Sequence, residues 1–452
     1  MQEDAPKPQE LRRRLGALHL WSIAVGMVIS GQYFGWTYGF GVAGPLGMLA
    51  AAAIVTVFYT AFVFSYAELA AAIPAADGPS AYCRRAMSPF FGFLAGFAVL
   101  LELGFAPPAI AVATGSYIQF LMPAIPADTA TVAVFLIFIG VNLFAIEGAA
   151  LVELIATGLA LVGLALYYGA GLPHVDLAAL SAGEAWLGGA SGVAAAIPFA
   201  IWLYLGVEGA AMAAEEVRDP PRDIPRGFIA GILTLATCSV GTVLVTAGLG
   251  GGEGAPADYP LPPALASAYG AEHWLTRAVA LIGLTGLVAS LHGILMGLSR
   301  QTFALARAGY LPRFLARIST RGIPHWAVLV PGLFGVLCAG SAALSNALIL
   351  LSVFGSVVMT CMSVVALLVL RRREPELARP YRVPSLAIPW SALVLGLGAL
   401  YCVVTYALEG AELPWMGVTL PLPWVLMGLL AGAVGYYALV GRRGARAADG
   451  GG

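Results

Sequence analysis

The stretch GMVISGQYFGW, residues 26–36, interrupts an apolar run with Gly26, Gly31 and Gly35 and with the polar Ser30 and Gln32. Glycine costs about 1 kcal/mol in a helix interior, so the cluster favours an unwound segment, with close packing through small residues as the structural alternative. The stretch IPFAIWLYLGVEGAAMAAEE, residues 197–216, repeats the anomaly with Pro198, Gly206 and Gly209 around the ionisable Glu208. These stretches lie in the first and sixth apolar runs, an odd number of spans apart, so they enter a membrane from opposite sides. That is the arrangement of an inverted repeat whose paired broken helices present free backbone groups at a midplane site.

Working outward, the remaining chain reads as membrane-embedded. Of 452 residues, 60% are hydrophobic and 10% are charged, against roughly 25% charged in an average soluble domain. One globular core cannot enclose that much apolar surface, whereas a bilayer span needs about 20 mostly apolar residues. Apolar runs bounded by charge, Gly or Pro give twelve spans: 16–40, 45–72, 89–121, 128–146, 149–171, 192–217, 227–250, 275–306, 324–343, 345–370, 387–409 and 421–441. The expected fold class is an all-α polytopic membrane protein.

Positive charge sets the expected orientation. Arg12, Arg13 and Arg14 precede span 1, Arg84 and Arg85 follow span 2, and Arg218, Arg222 and Arg226 lie between spans 6 and 7. Arg300, Arg307, Arg313, Arg317 and Arg321 fall between spans 8 and 9, Arg371, Arg372, Arg373, Arg379 and Arg382 between 10 and 11, and Arg442, Arg443 and Arg446 after 12. With both termini cytoplasmic all of these lie inside, leaving Arg277 near the outer face with Asp176, Glu184, Glu253, Asp258, Glu409 and Glu412. The expected location is the cell membrane. No removable signal peptide is read at the polar N-terminus.

Several function classes fall away. The net charge of -1 gives no field for nucleic acid. Cys83, Cys238, Cys338, Cys361 and Cys402 are scattered, without a zinc spacing or a disulfide framework, so no metal or cofactor is expected. No nucleophile elbow or phosphate-cradling motif suggests an enzyme, and no ring of like charge suggests a channel.

Chemistry centres on acids at membrane depth. Glu102 sits near the middle of span 3, followed by Pro107 and Pro108, which are expected to kink that helix. A charge there costs at least ~2.5 kcal/mol. The only lysine is Lys7 in the tail, and the arginines lie at or beyond the ends of the spans, none at mid-depth. Glu102 therefore reads as a protonated acid bonded to backbone, a counter-ion for a cationic solute, or a proton carrier. Glu208 beside the second break reads as a coupling group or a cap for freed N–H groups. Glu68 reads as a structural partner of Arg84 or Arg85, and His292 as a titratable candidate or a hydrogen-bonded packing residue. Tyr33, Phe34, Trp36, Trp202, Tyr204 and Phe105 offer ring faces that hold a desolvated ammonium by about 2 kcal/mol, or else ordinary packing. Trp21, Trp274, Trp415 and Trp424 read as interfacial anchors.

At these residues the chain resembles the amino acid, polyamine and organocation (APC) superfamily of permeases. The matching pieces are GMVISG at 26–31, FSYAELAAAIPAADGPSAYCRRA at 64–86, GVEGAAMAAEEVRDPPRDIPRG at 206–227 and RAGYLPRFLARISTRGIPHWA at 307–327. Within it, SGQYFGWTYGFGVAG at 30–44 and LLELGFAPPAIA at 100–111 look most like the ethanolamine permease group. The resemblance implies a cytoplasmic tail 1–14 and a ten-helix 5+5 inverted-repeat core 15–370, with repeats of about 15–171 and 192–370. It further implies a loop 371–386, two peripheral helices in 387–441 and a tail 442–452. It implies alternating access around a site lined by Ser30, Gly31, Trp202, Tyr204 and Glu208, to which the reading above adds Gln32, Tyr33, Glu102, Phe105 and Gly206. Glu208, Glu102 and His292 are the candidates for carrying a proton. Some proton-coupled relatives carry a lysine in span 5; this chain has none there, which leaves the coupling ion open. The expected cargo is ethanolamine or a related small amine. The alternative is an amino acid, for which Gln32 and bulky Ile29 stand where amino-acid carriers often keep small residues.

Overall fold

The computed structural model describes residues 14–144, 149–176, 178, 180, 185–250, 258–319, 322–339, 342–415 and 418–441. The tails 1–13 and 442–452 lie outside the described residues, and with them Lys7, Arg12, Arg13, Arg442, Arg443 and Arg446; so do Arg321, Glu184, Glu253 and the Trp415 side chain.

Among the described residues nine helices are long and apolar enough to cross a bilayer. These include span 2 (Tyr38–Ala72), span 3 (Pro89–Leu121), span 5 (Ala149–Gly171), span 7 (Pro220–Gly248), span 8 (Trp274–Arg307) and span 10 (Ser345–Arg373). Span 6 counts among them as Gly189–Trp202 continued by a 3-10 helix, Val207–Glu216, as do span 11 (Ala387–Leu408) and span 12, which begins at Leu422–Tyr436. Two shorter apolar helices, Ala127–Asn142 and His325–Cys338, are spans 4 and 9, and the interrupted span 1 (Ala17–Val28 and Ser30–Tyr33) completes the expected twelve.

The halves repeat each other's neighbours. Span 2 packs on span 6 as span 7 packs on span 1, and span 3 packs on span 10 as span 8 packs on span 5. Exchanging spans 1–5 for 6–10 turns each pairing into its mate. Spans 11 and 12 expose large apolar side chains such as Val394, Tyr401, Leu408, Trp424 and Met427, surface whose natural solvent is lipid.

Details depart from the sequence reading for local reasons. The outer segment of span 1, from Tyr38, passes into span 2 across a kink at Gly44 (φ 70°, ψ 174°), the one residue before Pro45 that leaves the helical region. Span 3 keeps helical φ/ψ through Pro107 and Pro108, so the prolines do not interrupt it. Spans 11 and 12 are joined through a β-hairpin, Glu412–Trp415 paired antiparallel with Val418–Pro421. Gly410 before the first strand, and Pro414 and Pro421 within the strands, are poor helix formers.

On the arginine-bearing face, the backbone N–H groups of Arg14 and Leu15 both donate to the Glu216 carbonyl (2.8 and 3.0 Å), tying the entry of span 1 to the exit of span 6. Arg300 pairs with Glu216, Arg84 with Asp77, and Arg85 with Glu374 at 2.6 Å. Glu68 does not pair with Arg84 or Arg85. It faces the end of span 10, where Arg371 and Arg379 hold its carboxylate and the Val383 N–H donates to it at 2.8 Å. On the opposite face, burial pushes the Asp258 carboxyl up to about 6, with the Ser345 hydroxyl, 3.0 Å away, opposing the shift.

Glu68 is fully enclosed, and removing one partner of a buried ion pair typically costs about 3–5 kcal/mol. Arg371→Ala is therefore expected to lower the thermal midpoint in detergent sharply, whereas Arg85→Ala, at the more exposed pair with Glu374, changes it little. Asp258 is easier to bury as an acid than as an anion, so its contribution to stability is lost as pH rises from about 4 to about 6. Asp258→Asn is expected to flatten that part of the stability–pH profile.

Candidate functional site

In span 1 the regular ladder fails between Gly26 and Ser30. The Ser30 N–H donates to Ser290 Oγ of span 8 at 3.0 Å, and Ser290 Oγ donates to the Gly26 carbonyl at 2.6 Å. A hydroxyl from another helix thus stands inside the gap between residue i and residue i+4. After Tyr33 the chain turns extended at Phe34, and Gly35 adopts φ 87°, a conformation that favours glycine. In span 6 the helix stops at Trp202, turns through Leu203–Leu205 and restarts after Gly206 (φ 98°) as the 3-10 helix. Runs of that kind longer than three or four residues are uncommon.

The two breaks meet. Gly31 lies so close to the Trp202 carbonyl that a Cβ would overlap its oxygen. Gln32 Nε2 donates to the Leu203 carbonyl at 2.8 Å and to Ser239 Oγ at 3.2 Å. The Phe34 and Trp202 rings pack edge to face at 5.3 Å. One carbonyl freed at the second break is thus covered from the first, while Gln32 Oε1 and Trp202 Nε1 stay buried without a partner.

Beside this junction two carboxyl groups face each other. Glu102 of span 3 and Glu208 of span 6 are neighbours, with the Ser356 hydroxyl and the Gly206 N–H alongside. Both acids are enclosed, and Glu102 Oε1 and Oε2 and Glu208 Oε2 lack hydrogen-bond partners. No basic side chain among the described residues reaches the pair. Span 10 presses against span 3 here: Ser352 Oγ donates to the Glu102 carbonyl at 2.6 Å, and Gly355 leaves no room for a Cβ against the span 3 backbone. Tyr59 stacks on Tyr204 at 5.3 Å, and its hydroxyl lies 3.1 Å from Ser356 Oγ.

Eight of the residues singled out in the sequence gather around the junction: Ser30, Gly31, Gln32, Glu102, Trp202, Tyr204, Gly206 and Glu208. Three point elsewhere. The Tyr33 hydroxyl donates to the Ala160 carbonyl of span 5, and its ring covers Gly283 and Gly286 of span 8. Phe105 packs on Phe334 of span 9 at 5.6 Å. His292 lies 3.2 Å from Asn142 Nδ2, on the side of span 4. Reasoning from sequence missed Tyr59, Ser290, Ser352 and Ser356, because lone polar residues in apolar spans carry no spacing signal. It also missed Glu153 in span 5, a third enclosed intramembrane acid, which the rule that selected Glu102 selects equally.

Two half-broken helices meeting between packed helical repeats define a membrane transporter, with backbone irregularity only where protein encloses it. The chain belongs to the amino acid permease family: the profile described as "Amino acid permease" matches residues 15–432. It is 33% identical over 349 residues to an uncharacterized transporter of Mycobacterium tuberculosis, covering 75% of this chain and 77% of the relative. It is 24% identical to a branched-chain amino acid permease of Bacillus subtilis over 93% of this chain and 92% of that one. A methylthioribose transporter of the same organism is 25% identical over 94% and 93%. Membership in a transporter family agrees with the absence of enzyme motifs read from the sequence.

Gly31→Ala is expected to push span 1 off the Trp202 carbonyl. Transport in proteoliposomes should fall by about tenfold or more, the scale of 1–3 kcal/mol for overpacking, while the size-exclusion profile stays monodisperse.

Proposed function

We propose that the protein carries ethanolamine or a closely related small organic amine across the cell membrane by alternating access. The observation behind this reading is the Glu102–Glu208 pair, two enclosed carboxyl groups without a base in reach. Two neighbouring carboxylates repel each other unless one keeps a proton or a cation stands between them, and a primary ammonium has three donors for the three unpartnered oxygens. In this reading Tyr59 and Tyr204 supply ring faces, Gly206 the close backbone approach, and Ser30, Gly31, Gln32 and Trp202 the wall formed by the breaks. The arginine-bearing face is cytoplasmic by the positive-inside rule, which places both termini inside.

A second reading, transport of a zwitterionic amino acid, is supported by the family and by the branched-chain amino acid permease among the relatives. Such cargo needs backbone N–H groups for its carboxylate. At the first break the Ser30 N–H is donated to Ser290 and the Gln32 N–H to the Ile29 carbonyl, which favours a cargo without a carboxylate.

Uptake of labelled ethanolamine into proteoliposomes, with leucine, alanine and amino alcohols as competitors, tests the choice. The expected outcome is competition by amino alcohols and not by amino acids, with Glu102→Gln raising the half-saturating concentration about tenfold or more, the worth of a lost charge-assisted bond. Competition by amino acids with an unaltered Glu102→Gln variant overturns the amine reading.

A further inference from the structure

Glu153 belongs to no part of the junction described above. It lies on span 5, enclosed between span 1 and span 8, at 5% exposure. A Cβ on Gly26 would overlap its Oε1 and crowd the Thr157 hydroxyl; a Cβ on Gly293 would lie 3.6 Å from the same oxygen. Gly26 thus opens the slot that this carboxyl group fills, and Gly293 borders it from span 8. Its Oε1 has no hydrogen-bond partner, so the slot holds an acid whose polar end is aimed at the backbone of Gly26. Gly26 is also the residue whose carbonyl receives the Ser290 hydroxyl in the gap of span 1.

The surroundings are neutral on every side. From span 1 come Ser22 and Gly26, and His19 turns back to the Gly16 N–H. Thr157 of span 5 donates to the Ser22 carbonyl at 3.2 Å. Span 8 brings Ser290 and Gly293, while His292 faces Asn142 and Phe138 of span 4. Span 7, also packed on span 5, presents Cys238, Thr242 and Thr246 to Tyr168 and Tyr167. No charged group among the described residues reaches Glu153.

An enclosed anion without a counter-charge is costly, and the cost disappears when the group binds a proton or when water reaches it. The first condition belongs to a closed slot and the second to an open one. We propose that Glu153 is the proton-carrying group of the transport cycle: it is protonated while Gly26 and Gly293 enclose it, and it releases the proton to water when span 1 parts from span 5. One O–H bond forms on one side of the membrane and breaks on the other, and no other reactant is needed. The inference rests on the transport reading and adds the ion that drives it and the residue that carries it.

Two measurements test it. In proteoliposomes with an imposed pH gradient, Glu153→Gln is expected to lose accumulation by about tenfold or more, a typical coupling between two sites, while exchange of external against internal ethanolamine stays within about twofold of wild type. Accumulation driven equally well in Glu153→Gln, or driven in wild type by a sodium gradient and not by pH, overturns the proposal. The second measurement needs neither cargo nor variant. Wild-type protein is treated with dicyclohexylcarbodiimide, which reacts with protonated carboxyl groups in apolar surroundings, and peptides are mapped by mass spectrometry. Modification of Glu153 that rises as pH falls is expected; an unmodified Glu153 peptide at low pH overturns the proposal even if ethanolamine proves to be the wrong cargo.

Discussion

A peptide group in hydrocarbon has no water to turn to, so a helix can stop midway through a bilayer only where other protein groups take over its hydrogen bonds. This constraint shapes the centre of the molecule. The gap in span 1 is filled by one hydroxyl, Ser290, which accepts from Ser30 and donates to Gly26. The turn in span 6 is covered by the amide of Gln32 on the Leu203 carbonyl. Because each break relies on groups from distant spans, the helices that supply them must be held in register, and the repeated pairing of spans 2 with 6 and 7 with 1 does this. The network of arginines and acids on one face fixes the same helices at their ends.

Charge follows the same logic. The backbone groups of Gly26, Ser30 and Leu203 at the breaks find partners, whereas Gln32 Oε1 and Trp202 Nε1 there, and oxygens of Glu102, Glu208 and Glu153, do not. Glu68, by contrast, sits where Arg371 and Arg379 reach it and is fully occupied. The contrast separates an acid tied into the arginine network at the end of the bundle from acids whose oxygens are left without partners. A carboxyl group that is enclosed and left without a partner gains nothing for stability.

Much of this architecture was legible in the sequence because membranes impose strong rules. Apolar length gave the spans, and the clusters at Gly26–Gly35 and Pro198–Gly209 gave the breaks, since glycine, proline and ionisable groups are costly at depth. Side-chain direction was not legible. Tyr33 and Phe105 are near the junction along the chain but point to spans 5 and 9, because in a helix buried on all sides every face is apolar and periodicity carries no information. The partner of Glu68 was misjudged for a related reason: Arg84 and Arg85 are near in sequence, whereas Arg371 is near in space. Isolated serines such as Ser290 and Ser356 look like ordinary small residues until the helix opposite is known.

The join at Gly44 ties two pieces of the bundle by the shortest possible tether. The outer piece of span 1 meets span 2 across one non-helical residue followed by Pro45, so the two ends cannot drift apart by more than a peptide unit. Tyr59 stands on the same span 2, stacked on Tyr204 of span 6. The mouth of the first break and an aromatic contact of the second are therefore strung on one continuous stretch of backbone.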